Sequence, residues 1–209
     1  MTTLDGFELR LPPRWVVVPD DVGDGAGWAR GAASALLDDD PATASEPALR
    51  ADTLDVLAEQ LAAVAESVRG TGIAALTAAA LVDEPSRGVV DAMVTLVGQE
   101  DLGRGEFEAS LAALVEGSAP GQVVHAGTVD AVADAGDLAG LHLVLADVDD
   151  EVDGVAALEE RVVLGVFPPG CRDMVEVTAV ARSVGTFADM PQAVVDLLAG
   201  LSVDVGGAA

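Results

Sequence analysis

The apolar positions from residue 159 onward fall into a strand, turn, strand and helix pattern around which the rest of the chain can be arranged. Val175, Val177, Ala179 and Ala181 alternate with Glu176, Thr178 and Arg182, the period-two signature of a half-buried antiparallel strand over 174–181. Ahead of it, 161–167 carries Val162, Leu164 and Val166 on one face and Val163 and Phe167 on the other, which predicts a strand buried on both faces inside a sheet. Gly165 allows close approach there, and Pro168, Pro169 and Gly170 supply the tight loop between the two strands. Asp189 then predicts the cap of a helix over 189–201, with Gln192 as capping-box partner and Pro191 in the first turn. Its apolar stripe is Val194, Leu197, Leu198 and Leu201.

Upstream, Phe7, Leu9 and Leu11 alternate with Glu8 and Arg10 in a first strand stopped by Pro12 and Pro13, and 15–18 reads as a second, ended by Pro19. Asp24 can cap a short helix over 27–37 that contains Trp28. Asp38, Asp39, Asp40 and Pro41 read as a solvated link, with a metal site as the alternative. Ser45 is expected to cap a long helix with Pro47 in its first turn and Gly70 just past its end. The stripe of that helix is Leu54, Leu57, Ala58, Leu61, Val64, Ala65 and Val68. Two apolar runs, 73–82 and 89–97, are split by a turn-rich segment and predict a hairpin, although the Ala-rich first run also suits a helix. A helix over 106–115 puts Phe107, Leu111, Leu114 and Val115 on one side; strands over 123–132, with Gly127 as a bulge, and 141–146 follow. An acidic loop over 147–154 leads into the closing unit. With most sequential strands joined by short turns, the order predicts an α+β fold: an α/β/α sandwich with a central, mainly antiparallel sheet of about six to eight strands and helices on its faces. Residues 1–205 read as one such domain and 206–209 as a flexible C-terminal tail.

In outline, "FELRLPPRWVVVP", a long helix, a hairpin, "VVLGVFPPGCRDMVEVTAVARS" and "FADMPQAVVDLLAGLSV" resemble the small PsbP-like superfamily, named for a photosystem subunit and including Ran-binding nuclear-import factors. The likeness is greatest to small soluble actinobacterial members. It implies an α/β/α sandwich that works as a binding module, a group that includes bacterial chaperones or adaptors for secreted proteins. No catalytic signature comes with it.

Composition sharpens the picture of the core: 51% of the 209 residues are apolar but only 3% aromatic, so Ala, Val and Leu must fill the interior. Lys, Asn and Tyr are absent and Ile73 is the only isoleucine, a pattern that points to a GC-rich genome rather than to design. The formal net charge of −26 repels phosphate backbones and anionic lipid, which argues against nucleic acid as a partner. Solubility, life in high salt and codon bias each account for such acidity; recognition of a basic or cationic partner is the functional alternative. No apolar run reaches the length of a membrane span, which argues against membrane insertion, and the first residues do not resemble a signal peptide. Cys171 is the only cysteine, so no internal disulfide forms, and the expected location is the cytoplasm.

Candidate chemistry is sparse. Asp149, Glu151, Asp153, Gly154 and Glu160 fit positions 1, 3, 5, 6 and 12 of a calcium loop, in which alternate carboxylates converge on a hard cation and glycine makes the sharp turn. Against that stand Glu at the third position, Ala156 at the eighth and a strand ahead of the loop; a solvated acidic loop is the competing reading. His125 and His142 lie within predicted strands, where a catalytic pair or metal site needs a third group. Cys171 follows the Pro-Pro-Gly loop, with Arg172 as its basic neighbour, and a Cys-His nucleophile is the sharp reading against an inert thiol. No Gly-x-Ser-x-Gly, phosphate-binding loop or dinucleotide fingerprint occurs, and without lysine there is no Schiff-base chemistry. The sequence therefore points to a non-enzymatic, acidic protein-binding module, adaptor or chaperone-like, that needs no cofactor. A structural subunit forming a homo-oligomer or other assembly is the alternative, and an enzyme with an unrecognised site is the third reading.

Overall fold

The computed structural model describes residues 2–19, 23–73, 76–152 and 155–207, with the side chains of 147–152 and 155–156 outside that description. Two compact units divide the chain, one comprising Met1–Pro12 and Leu96–Ala209, the other Pro13–Thr95. The chain opens in the larger unit with β1 (Thr2–Leu9). The smaller unit then holds β2 (Trp15–Val18), α1 (Gly25–Asp38), α2 (Pro41–Ser45), α3 (Pro47–Gly70), β3 (Thr77–Leu81) and the start of β4 (Ala92–Gln99).

In the smaller unit the core is made of short side chains, as the composition requires. Ala29, Ala33 and Leu37 of α1 and Leu57, Ala58, Leu61, Val64 and Ala65 of α3 form one buried cluster with Ala78 and Ala80 of β3. Alanines at a helix contact let the axes approach closely, so α1 and α3 pack on each other along their length. The Ala-rich run after residue 73 is a strand, as read, but a shorter one, beginning at Thr77. Asp24 caps α1 as expected, accepting from the Gly27 N–H. The cap of α3 is different: Pro47 occupies the first turn, so Glu46 stands at the cap position without a side-chain bond, and the Ser45 hydroxyl instead donates to the Pro41 carbonyl one short helix earlier. Gly70 lies inside the last turn, and Thr71 follows it as the C-cap.

The acidic link at 38–40 is not uniformly solvated. Asp40 is only 6% exposed. Its carboxylate accepts the Ala42 N–H at 2.8 Å, capping α2, and the Ser86 N–H at 3.3 Å, which ties the helical layer to the turn between β3 and β4. Burial pushes the Asp40 carboxyl up, but the backbone N–H groups of Ala42, Ser86 and Thr43 and the charge of Arg14 outweigh it and hold the group below its ordinary 3.8. Asp40→Ala is expected to cost about 1–3 kcal/mol in urea unfolding at neutral pH, because it removes a cap and strands a part-buried N–H. A depressed folded pKa gives stability that is present above the unfolded value and lost as pH falls through the folded one. The gap between wild type and Asp40→Ala should therefore narrow below about pH 4.

The larger unit takes up the end of β4 and adds α4 (Arg104–Glu116), β5 (Val123–Ala133), β6 (Gly136–Val152), β7 (Val155–Phe167), β8 (Met174–Ala181), α5 (Met190–Leu198) and β9 (Leu201–Gly207). Seven strands form one antiparallel sheet in the order β2-β3-β4-β8-β7-β6-β5, and β1 pairs with β9 in a second sheet of two. The fold is thus α+β, with a sheet of the predicted size. Lying between β6 and β8, β7 has interior neighbours on both sides, which is what its two apolar faces call for.

Register sorts the faces of this unit. Leu141 stands opposite Thr128 and Val163, and Val163 opposite Thr178; these share one face with Phe167, whose ring meets Phe107 of α4 edge-to-face at 6.0 Å. The opposite face, built from Leu138, Val162, Leu164, Val166, Val175, Val177 and Ala179, is buried. There α5, itself buried through Met190, Val194, Leu197 and Leu198, contacts β5 and β7.

Four sequence expectations change here. Leu201 is not the end of the closing helix but the first residue of β9, which runs antiparallel to β1 from Leu9↔Leu201 to Thr2↔Gly207. Gly206 and Gly207, read as tail, therefore belong to a strand. The acidic segment before residue 153 is not loop: β6 and β7 stay paired along it, at Asp147↔Ala157 and Glu151↔Ala156 across a register shift, because a cross-strand partner overrides the weak strand preference of Asp and Glu. Gly127 is not a bulge. It pairs in register with His142, and the bulge lies between Val123 and His125.

Candidate functional site

The two histidines singled out in the sequence are brought together in the larger unit. Gly127, His142 and Val162 form one cross-strand row, and His125, Val144, Glu160 and Ala181 form the next, so both imidazoles and the Glu160 carboxylate share a face. Gly127 makes this possible. A Cβ there would sit 3.1 Å from the His125 Nε2, so the missing side chain lets the His125 ring lean across toward His142. The rings meet edge-to-face with centroids 5.4 Å apart. His142 Nε2 lies 2.8 Å from Glu160 Oε1, and Glu160 Oε2 accepts the Gly185 N–H at 3.5 Å, a weak contact. With Glu160 only 6% exposed, this pair joins β6 to β7 through a carboxylate largely shut off from solvent.

A carboxylate on one imidazole nitrogen resembles the orienting half of a catalytic triad, in which the third member is a nucleophile within hydrogen-bond reach. Cys171 does not fill that place. It lies beyond the other end of β7, bridged to Thr2, and the seven residue steps from Glu160 to Phe167 put it roughly 20 Å away along the strand. Of the calcium-loop positions, Asp153 and Gly154 lie outside the described residues, as do the side chains of Asp149 and Glu151, and Glu160 is engaged with His142. Among the described residues no group of three or more His, Cys, Asp or Glu side chains is arranged to hold a metal ion.

A second feature, the exposed end of the sheet, is marked by no sequence motif. β5 closes the strand order, so one side of its backbone has no strand partner among the described residues. On the face shared with α4, its Ala126, Thr128, Asp130 and Val132 are all exposed. Val132 reaches 76% exposure and Val124, at the bulge, 58%. Because α4 buries little beyond Phe107, a groove of about 350 Å³ opens between it and the sheet, with Leu111 and Leu141 as apolar lining and Arg104, Glu108 and Asp130 as charged lining. Arg104 is held by Glu108 at 2.8 Å and by Asp130. Asp134 and Asp137, at the turn into β6, add two more exposed carboxylates beside Val132.

Neither feature is visible as a motif. The histidine pair depends on strand register and on one glycine, and the exposed edge depends on strand order. A larger cleft of about 450 Å³ lies along β9, with Glu8, Arg10 and Asp134 among its lining residues. No helix among the described residues is long and apolar enough to cross a membrane. Comparison of the chain with protein-family models and with curated proteins finds no match.

Proposed function

We propose that this protein is a non-enzymatic binding module, adaptor or chaperone-like, whose partner is a protein of basic character. The observation that carries this reading is the charge at the open end of the sheet: Glu108, Asp130, Asp134 and Asp137 are each exposed, Arg104 is held by Glu108 and Asp130, and Arg10 shares a cleft with Asp134, so four carboxylates stand against two arginines. Within a chain of net charge −26, such a surface attracts and orients a positively charged partner and repels nucleic acid. The resemblance of the sequence to the PsbP-like superfamily supports the same reading, since what it implies is a binding module. His142 and Glu160 then act as a strut between β6 and β7.

Affinity capture from native lysate at low and high salt, read by mass spectrometry, tests it. The expected result is one stoichiometric partner of high isoelectric point, at least tenfold depleted as salt rises from about 50 to 300 mM. A substrate turnover that disappears in His142→Ala would overturn it.

A second reading, an assembly subunit, has an observation of its own in the exposed apolar side chains Leu114, Val124 and Val132. A molar mass by light scattering that rises with concentration would favour it. A constant monomer mass would leave the basic-partner reading in place.

A further inference from the structure

We infer that the partner is held as an added β-strand along the free side of β5, by an extended segment in which apolar and basic side chains alternate. This rests on the reading of the protein as a module for a basic partner and names the site. An edge strand offers a row of unpaired peptide N–H and C=O groups, and sheets ordinarily blunt such edges by keeping them short or by placing Pro or Lys on them. β5 is long and open for most of its length: it runs for eleven residues, Val123–Ala133, without Pro, whereas β2 at the other end of the order has four residues. Its bulge is confined to the start, between Val123 and His125, and its charged side chain, Asp130, disfavours an acidic partner but not a basic one.

The chemistry beside that edge selects the occupant. Side chains alternate across an added strand, so every second residue would lie over the α4 side of the sheet. There it meets the exposed Val132 and Thr128, the carboxylates of Asp137 and of Asp130, one oxygen of which is engaged by Arg104, and the mouth of the groove between α4 and the sheet. Apolar residues fit the first pair and the groove; arginine or lysine fits the carboxylates. A second copy of the chain fits less well, because full antiparallel overlap of β5 with itself, centred on Thr128, would set Asp130 opposite Ala126 and give its carboxylate no cationic partner.

The test uses the full-length protein and three fluorescein-labelled nonapeptides: one alternating Val and Arg, the same peptide with alternate backbone amides methylated to abolish strand pairing, and one with Asp in place of Arg. Binding is read by anisotropy at low and high salt, together with amide hydrogen exchange of β5. The expected result is binding of the Val/Arg peptide alone, slowed exchange at alternate β5 amides, and affinity about tenfold weaker in Asp130→Asn/Asp137→Asn, whose fold is checked by circular dichroism. Equal binding of the methylated peptide, with β5 exchange unchanged, would overturn strand addition while leaving recognition of a basic partner standing. Failure of both cationic peptides and of polyarginine to bind at low salt would overturn both. Protection of β5 that grows with protein concentration in the absence of peptide would show a second copy in the place assigned to the partner.

Discussion

Asp173→Ala is expected to lower stability by about 3–4 kcal/mol. Asp173 is only 5% exposed, yet its two oxygens accept the Leu4 N–H at 2.9 Å and the Asp101 N–H at 3.0 Å, and Arg172 lies at 3.6 Å. Two distant segments therefore converge on it: the start of β1, which also exchanges backbone bonds with the loop before β8 through Thr2, and the turn after β4. That turn needs a fixed partner, since Asp101 holds a left-handed φ of 52° that non-glycine residues rarely adopt. Truncation leaves two part-buried N–H groups without their charged acceptor. Hydrogen bonds to ionised groups are worth about 1.5–3 kcal/mol each, and the two are not additive because they share one carboxylate. Asp173→Asn, which keeps one carbonyl oxygen, should cost roughly half as much.

The same site makes a signed prediction about pH. The Asp101 and Leu4 N–H groups, against the opposing effect of burial and with help from Arg172, hold the Asp173 carboxyl below its ordinary 3.8. Its contribution is complete above the unfolded value and disappears as pH falls through the depressed folded one. Urea unfolding of wild type and Asp173→Ala should thus differ fully at pH 7 and converge below about pH 4. A gap that stays constant into acid would mean that the ionised form is not what the two backbone groups recognise.

Asp173 also illustrates what the sequence could and could not disclose. Strand β8 was legible to the residue, because alternation of Val and Ala with polar residues is a local signal. The caps at Asp24 and Asp189 were legible because each bonds a backbone N–H three residues on. Asp173, by contrast, acts on residues 72 and 169 positions away, and nothing in the surrounding Gly-Cys-Arg-Asp spacing marks it. Asp40 was hidden in the same way, since three successive aspartates look equally solvated until Ser86, 46 positions on, selects one of them. β9 was masked by coincidence: Leu201 extends the helical stripe of α5 by one more turn, and only the presence of β1 alongside turns it into a strand residue. The histidines were visible as strand residues, but their meeting needed the register that sets His142 opposite Gly127. Glu160, read as the closing position of a calcium loop, is seen beside His142 once β6 and β7 are paired.

Gly140→Ala is the second large effect expected, and its sign is diagnostic. Glycine inside a strand ordinarily costs about 0.5–1 kcal/mol relative to alanine, so if space allowed, the substitution would stabilise the protein. Space does not allow it. Gly140 sits in β6 between Val129 of β5 and Leu164 of β7. A Cβ at that position would fall well inside contact distance of the Val163 carbonyl oxygen and 2.9 Å from the Leu164 Cα. Both obstacles are backbone, which cannot rotate away as a side-chain tip can, so β6 and β7 would have to move apart beside the buried Leu164. The expected loss is about 3 kcal/mol, at the upper end for overpacking, or roughly 6–12 °C in Tm for a chain of this size. Gly127→Ala is the matched control: the nearest atom to its Cβ is the His125 Nε2, the end of a side chain that can swing out, so the loss should be less than about 1 kcal/mol. Because β6 carries the edge strand β5, Gly140→Ala should also weaken binding at that edge, whereas Gly127→Ala should separate the two imidazoles and leave the edge intact. Equal stabilities for the two variants would mean that the β6–β7 spacing at residue 140 is wider than the structure has it, and that the edge is not seated on a rigid neighbour.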